Sequence, residues 1–345
     1  MKPGVCYSLL LYLIFSSVIA VAADTTPSVN VYGRLHFVLA NVEDKNTSLN
    51  TAGHRIGLKG EGKLNSGLGY FYKLETEYTN DNNFGRKDGL GGNSTSSSAN
   101  AGTDLADVRV RHANVGLKGK QGSITIGRQD NPVNSTYVAN VFEANSGAYL
   151  QTPYRMGHAI VFRMKKVSGV KSYVGAILEG GKSDDTDEQN LNAVMFGGSY
   201  SWADIKINGG YFSADYDLKS PDDVNTAAAN DPVDTKTEFT NWSIGVSYFM
   251  NEIYMAINLE GSSEDKDGVT TDTDVIDIAL TYTRDSVVYG VGYASADEEG
   301  VKKNRILLGA YINLGGNNDC YFETGQYNKE DGGGDNFVMG YRIKF

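Results

Sequence analysis

Apolar and polar side chains alternate, one for one, through most of this chain. In VNVYGRLHFVL (29–39), Val31, Gly33, Leu35, Phe37 and Leu39 share one face, and Asn30, Tyr32, Arg34 and His36 share the other. LGYFYKLETEY (68–78) sets Leu68, Tyr70, Tyr72, Leu74 and Tyr78 against Lys73, Glu75 and Glu77. NRILLGAYINL (304–314) repeats the scheme with Ile306, Leu308, Ala310, Ile312 and Leu314. A period of two marks β-strands with unlike faces, and helical periodicity is almost absent. The pattern predicts sixteen strands, over 29–41, 53–64, 67–79, 105–118, 122–129, 155–164, 169–179, 191–201, 203–214, 237–250, 252–263, 272–284, 286–297, 303–315, 318–329 and 335–345.

The links between these strands alternate between short and long. NSG, GKQG, KVSG, WAD, MNE, RDS and GGNN are turns; 80–104, 180–190 and 216–236 are long and polar. A soluble sandwich has no reason to sort its loops by length at opposite ends. An outer-membrane barrel does, with tight turns at one end, long loops at the other and an even number of strands. Strands of ten residues or so are long enough to cross a bilayer at a tilt. The expected fold is all-β, a transmembrane antiparallel barrel of sixteen strands. The Gly/Ser/Asn-rich stretch at 89–103 lies between two strands of the series, so it reads as a surface loop and not as a domain linker.

The first residues stand apart. Lys2 is followed by LLLYLIFSSVIAVAA (9–23), an apolar run ending in small residues, as in a cleaved export signal. Val21 and Ala23 satisfy the cleavage rule before Asp24, with Ala20 and Ala22 as a competing pair. This predicts a signal peptide over 1–23 and one barrel domain over 24–345. Cys6 leaves with the signal, so Cys320 stands alone and no intrachain disulfide can form. Without Lys2 the mature chain holds 30 basic and 42 acidic residues, a net charge of −12. That balance argues against a general nucleic-acid binder, which needs a basic footprint.

VYGRL (31–35), HRIGLKGEG (54–62), RHANVGLKGKQGSITIGRQDNP (111–132) and the terminal YRIKF (341–345) together resemble the general diffusion porins of Gram-negative bacteria. The resemblance implies a homotrimer of sixteen-stranded barrels in the outer membrane, each narrowed by a long third loop folded into its lumen. It places Arg34, Arg55, Arg111 and Arg155 on a basic wall of the pore constriction. The alternation agrees for Arg34 and Arg55, which lie on polar faces. Arginine stays charged beside like neighbours, and rings of like charge commonly set ion selection. Arg111 is less simple, because it shares its face with Ala113, Val115 and Leu117, while His112, Asn114, Gly116 and Lys118 form the other. One resolution packs the apolar face under the inward loop and sets the small, polar face against a neighbouring subunit.

The inward loop is expected over 130–154, where Val138, Val141, Phe142 and Tyr149 suit docking inside a barrel better than exposure. Glu143 matches the family's acidic position. A second acid usual a few residues earlier is replaced by Ala139 or Asn140, so the eyelet is less negative than the family's. Tyr341 and Phe345 match the terminal signal that barrel-assembly machinery reads. The abrupt ending is also expected to let the last strand pair with the first.

Other chemistry finds little support. AILEGGKSDD (176–185) has Ala176 where a phosphate-binding loop needs glycine. Asp184, Asp185, Asp187 and Glu188, and Asp265, Asp267, Asp272 and Asp274, lack EF-hand spacing and read as solvated loop tips near lipopolysaccharide. His36, His54, His112 and His158 are single, and no Gly-x-Ser-x-Gly elbow occurs. The expected function is passive diffusion of small hydrophilic solutes and ions, with no enzyme activity and no cofactor. A sugar- or anion-specific channel of the same architecture is the alternative, and a non-conducting adhesin or receptor is a further one.

Overall fold

The computed structural model describes residues 28–79, 107–145, 149–179, 191–218 and 235–345. The expected signal at 1–23, the loop over 80–104, the acidic group at 184–188 and most of 216–236 lie outside these residues. Eighteen strand segments form one closed antiparallel sheet. Two strands are each broken once, so the barrel has sixteen. In chain order they are β1 (Ser28–Val42), β2 (Ser48–Thr51 and His54–Lys63), β3 (Gly69–Thr79), β4 (Asp107–Lys118), β5 (Gly122–Asp130) and β6 (Arg155–Met156 and Ala159–Met164). Then follow β7 (Val170–Glu179), β8 (Leu191–Trp202), β9 (Ile205–Leu218), β10 (Thr235–Met250) and β11 (Ile253–Lys266). The set ends with β12 (Val269–Arg284), β13 (Val287–Glu298), β14 (Val301–Gly315), β15 (Asn318–Tyr327) and β16 (Asn336–Lys344).

Every strand pairs with its chain neighbour, and β16 pairs with β1, so no sheet edge is left to aggregate. The pleat then sorts the side chains. On β1, Leu35, Phe37 and Leu39 are exposed on the outer surface while His36, Val38 and Ala40 are buried on the inner one. The same division recurs on β12, where Ile278 and Leu280 point out and Asp277 and Ala279 point in. An apolar outer band with a polar interior is what a barrel needs in lipid.

The seam rests on close fit. Gly33 and Phe345 exchange backbone hydrogen bonds of 2.8 and 3.1 Å. The Phe345 ring lies over Gly33, where an added Cβ would stand 2.3 Å from the ring. Deleting Phe345 removes both bonds and the ring contact, a loss of about 2 kcal/mol. Thermal melting of the purified barrel should shift down, while channels that survive keep their conductance; an unchanged melting point would refute the seam's contribution.

Two expectations change. The strands expected to stop at 263 and 297 run on to tight hairpins, with Lys266 paired to Val269 and Glu298 to Val301. Asp267–Gly268 and Glu299–Gly300 make these turns, all four residues at positive φ. Left-handed two-residue turns match strand twist, and a ladder continues into water without any apolar alternation to announce it. The sorting of loops by length is therefore weaker at the long-loop end than expected. Asp265 also has a local task, accepting from Gly268 N and Thr270 Oγ1 in that turn. The second change is a β-bulge on β4. Glu75 pairs with His112 and Thr76 with Val110, so Arg111 is the extra residue. A bulge turns two successive side chains toward one face. Arg111 and His112 are both buried inside, and Val110 and Val115 are exposed outside. The expected contact of His112 and Asn114 with a neighbouring subunit is thus overturned, as is the docking of the Ala113/Val115 face beneath the loop.

Candidate functional site

The described residues of the loop at 130–154 run inside the barrel. Asn131 opens a 3₁₀ turn, Pro132–Thr136, its Oδ1 accepting from Val133 N at 3.1 Å. Proline suits the start of such a turn because its position needs no N–H donor. Asn131 and Asn134 donate to the carbonyls of Pro153 and Tyr154, closing the loop's neck. Val133 is fully buried among Met156, Val161, Ile177, Met195 and Phe212. The inner faces of β6–β9 are therefore apolar at this level because the loop covers them.

Farther along, the loop is pinned by buried polar side chains. Tyr137 OH donates to Glu260 (2.6 Å), Ala139 N to Asn258 Oδ1 (2.8 Å), and Tyr254 OH to the Val138 carbonyl (2.8 Å). At the tip, the Glu323 carboxylate of β15 accepts from the backbone N–H groups of Glu143, Ala144 and Asn145 at 2.7, 3.1 and 2.7 Å. Tyr311 OH donates to the same carboxylate at 2.8 Å. On the return limb Tyr149 bonds Asp331, and its ring centroid lies 3.7 Å from the Arg305 guanidinium carbon. One carboxylate holding three consecutive N–H groups forms a strong anchor, since bonds to charged acceptors exceed neutral ones.

On the arc β1–β4 the loop touches the wall at few points, Ala144 against Val38 and Ala40 and Asp130 near His112, and the charged inner side chains mostly contact one another. The register sets them in rows. Lys344, Arg34, Arg55, Glu77 and Arg109 follow one another across five strands. One step toward the tight turns come Tyr32, Gly57, Glu75 and His112. Arg111, delivered by the bulge, joins the rows by bonding Glu75 (2.7 Å) and Glu77. Arg55 Nε lies 3.4 Å from Glu77, and Lys73 Nζ 3.6 Å from Glu75. Arg34 donates to the carbonyls of Ala52 and Gly53, at the break in β2. A break in the ladder is what leaves those carbonyls turned toward a side chain.

The four expected arginines thus fall on one side of the lumen, but they do not face Glu143. Arg34, Arg55 and Arg111 form one cluster with Glu75 and Glu77, and Arg155 sits at the loop's root, 3.4 Å from Asp130. Glu143 instead pairs with Arg342 of β16, which also bonds Asp319. Tyr341 points outward and Arg342 inward, in line with the alternation of the last strand. Three residues were not expected at the site from the sequence: Arg342, Glu323 and Arg305. Arg342 carried a signal as a polar-face residue of YRIKF, and Glu323 another as a lone acid among aromatics. Among the described residues no group of three His, Cys, Asp or Glu side chains could hold a metal ion.

The Gram-negative porin family model matches residues 9–336. Comparison with curated protein sequences gives no significant match. Solved structures share the fold: a trimer form of OmpT, an outer membrane protein of Vibrio cholerae, has 17% identity and a TM-score of 0.68, covering 93% of this chain and 100% of that one. An anion-selective porin from Comamonas acidovorans gives 16% and 0.66, with 93% and 100% covered. OmpF of Salmonella typhi, in complex with daunomycin, gives 18% and 0.65, with 92% and 97% covered. With a family match over nearly its whole length and a closed barrel whose outer face is apolar, this chain belongs to the Gram-negative porins, channel barrels of the outer membrane.

Proposed function

We propose that the barrel is a passive, water-filled channel for small hydrophilic solutes and ions, narrowed by loop 130–154 and biased by charge. The observation that carries this reading is the loop itself, held inside by buried bonds at Glu260, Asn258 and Glu323 and facing an arc of charged side chains. A fixed loop narrows the lumen without closing it, and the charged arc β1–β4 offers solutes arginine, lysine and carboxylate groups at the passage. No bond is made or broken, and no cofactor is needed. The charged side chains along this wall, with Glu143 paired to Arg342 on the strand next to Arg34, would favour ions and dipolar solutes over apolar ones.

The working unit is a homotrimer, in keeping with the family and with the trimer form of one structural relative. Its outer surface meets lipid and lipopolysaccharide, and Tyr341 and Phe345 serve as the signal for the barrel-assembly machinery. Single-channel recording on planar bilayers tests the reading: stepwise insertion with closure in thirds is expected, and absence of conductance would overturn it. Glu143→Gln leaves Arg342 with Asp319 alone, so the reversal potential in a salt gradient should move toward anions. An unchanged reversal potential would remove Glu143 from the constriction.

A further inference from the structure

We infer that the inner wall on the tight-turn side of the arginines holds a subsite for tetrahedral oxyanions, phosphate and phosphate monoesters, built on Lys59 and Lys73. The inference rests on the channel reading above. Register places Asn30, Lys59, Lys73 and Asn114 side by side on four consecutive strands. Leu58 and Leu74, their chain neighbours, are exposed on the outer surface, so the pleat turns the lysines into the lumen.

Two like charges directly opposite each other on paired strands repel. Two rows away the same wall also sets Arg34 opposite Arg55, but there the carbonyls of Ala52 and Gly53 take up Arg34 and the Glu77 carboxylate stands beside Arg55. At Lys59 and Lys73 no acid intervenes. Lys73 Nζ lies 3.6 Å from Glu75, which Arg111 at 2.7 Å and Tyr32 OH at 2.8 Å already engage. Lys59 makes no ion pair among the described residues; its ammonium lies 5.1 Å from the centroid of the Tyr32 ring. Lys73 Nζ lies 6.0 Å from the same centroid.

That ring is fixed. It lies on Gly57, where any Cβ would stand 2.5 Å from it, and its hydroxyl is tied to Glu75. Cation–π attraction draws both ammonium groups toward one immobile ring. The result is a pair of positive donors with a shortage of negative charge and an open lumen before them. Asn30 adds an amide on one flank; Asn114 spends its own on the Arg128 carbonyl, at 2.8 Å. A tetrahedral dianion meets this arrangement best, because its several oxygens bridge two ammonium groups and an amide together, whereas a halide offers one centre. Charge-assisted bonds of this kind are the strong ones.

The test is block by inorganic phosphate in bilayer recordings at about 0.1 M KCl, low enough to limit screening. Wild-type conductance should fall saturably with phosphate. Lys59→Gln/Lys73→Gln should raise the half-blocking concentration about tenfold or more, each channel normalised to its own conductance in KCl. Lys59→Arg should keep the block, and Lys118→Gln, outside the row, should leave it unchanged. Equal half-blocking concentrations in wild type and double variant, or a non-saturating effect, overturn the subsite while leaving the channel standing. If wild-type protein does not conduct, the channel reading fails, and calorimetric titration of phosphate into detergent-solubilised barrel decides the subsite. Binding lost in the double variant supports it, and no binding to wild type overturns it.

Discussion

Arg111→Met should destabilise the barrel more than any other single change on the arginine side of the lumen, by about 3–5 kcal/mol. Its side chain is only 7% exposed and lies between Glu75 and Glu77, themselves 6% and 5% exposed. Removing the guanidinium leaves two enclosed carboxylates. They retain weaker partners, Lys73 at 3.6 Å and Arg55 at 3.4 Å, which places the expected loss toward the lower end of that range. Breaking an enclosed pair costs more than never having built it. The triple variant Arg111→Met/Glu75→Gln/Glu77→Gln should therefore recover most of the loss. Denaturant unfolding followed by circular dichroism measures both. A midpoint unmoved by Arg111→Met would mean that the cluster is solvated instead of enclosed. In surviving channels the reversal potential should shift toward cations, because a positive charge has gone and two negative ones stay.

The second large effect is expected at Glu323. Glu323→Ala strips the loop tip of the acceptor shared by three N–H groups, at 2.7, 3.1 and 2.7 Å. Each bond to a charged acceptor contributes about 1.5–3 kcal/mol, though bonds sharing one carboxylate are not additive. The barrel should still fold, because Tyr137 on Glu260 and Ala139 on Asn258 hold the earlier part of the loop. What changes is the tip. Single-channel currents should become noisy, with brief closures at voltages that wild type tolerates, and Glu323→Gln should fall between the two. Traces as quiet as wild type would show that the tip is held by something else.

How much of this could be read from the chain depends on the range of the interaction. Arg34 and Arg55 were legible from the pleat, since Arg34 lies on the face opposite Leu35 and Arg55 on the face opposite Ile56 and Leu58. Arg111 was legible as a motif position, but its face was not. A bulge is a mismatch between two strands, and only the pairing of Glu75 with His112 and Thr76 with Val110 reveals it. Glu143 stood out as the acid of a semi-apolar loop, yet its partner Arg342 comes from the last strand. The anchor Glu323 lies 180 residues from Glu143, too far for any local pattern to link them. The lysines looked scattered along the chain; the register of β2 against β3 sets Lys59 opposite Lys73. The hairpins at Asp267–Gly268 and Glu299–Gly300 were missed for the opposite reason. Their strands run on without alternation, so a period-two reading stops early.

The sequence by itself determined the two faces of the regular strands, the number of strands, the closure of the last on the first and the side of the wall on which Arg34 and Arg55 lie. All of these follow from a side-chain period of two and from turn residues, which act within a few positions. Only the tertiary structure decided which charges neighbour one another, where the loop is tied and which cations lack a counter-charge. Those depend on strand register and on a loop crossing the lumen, and both bring together residues whose separation along the chain carries no periodic trace.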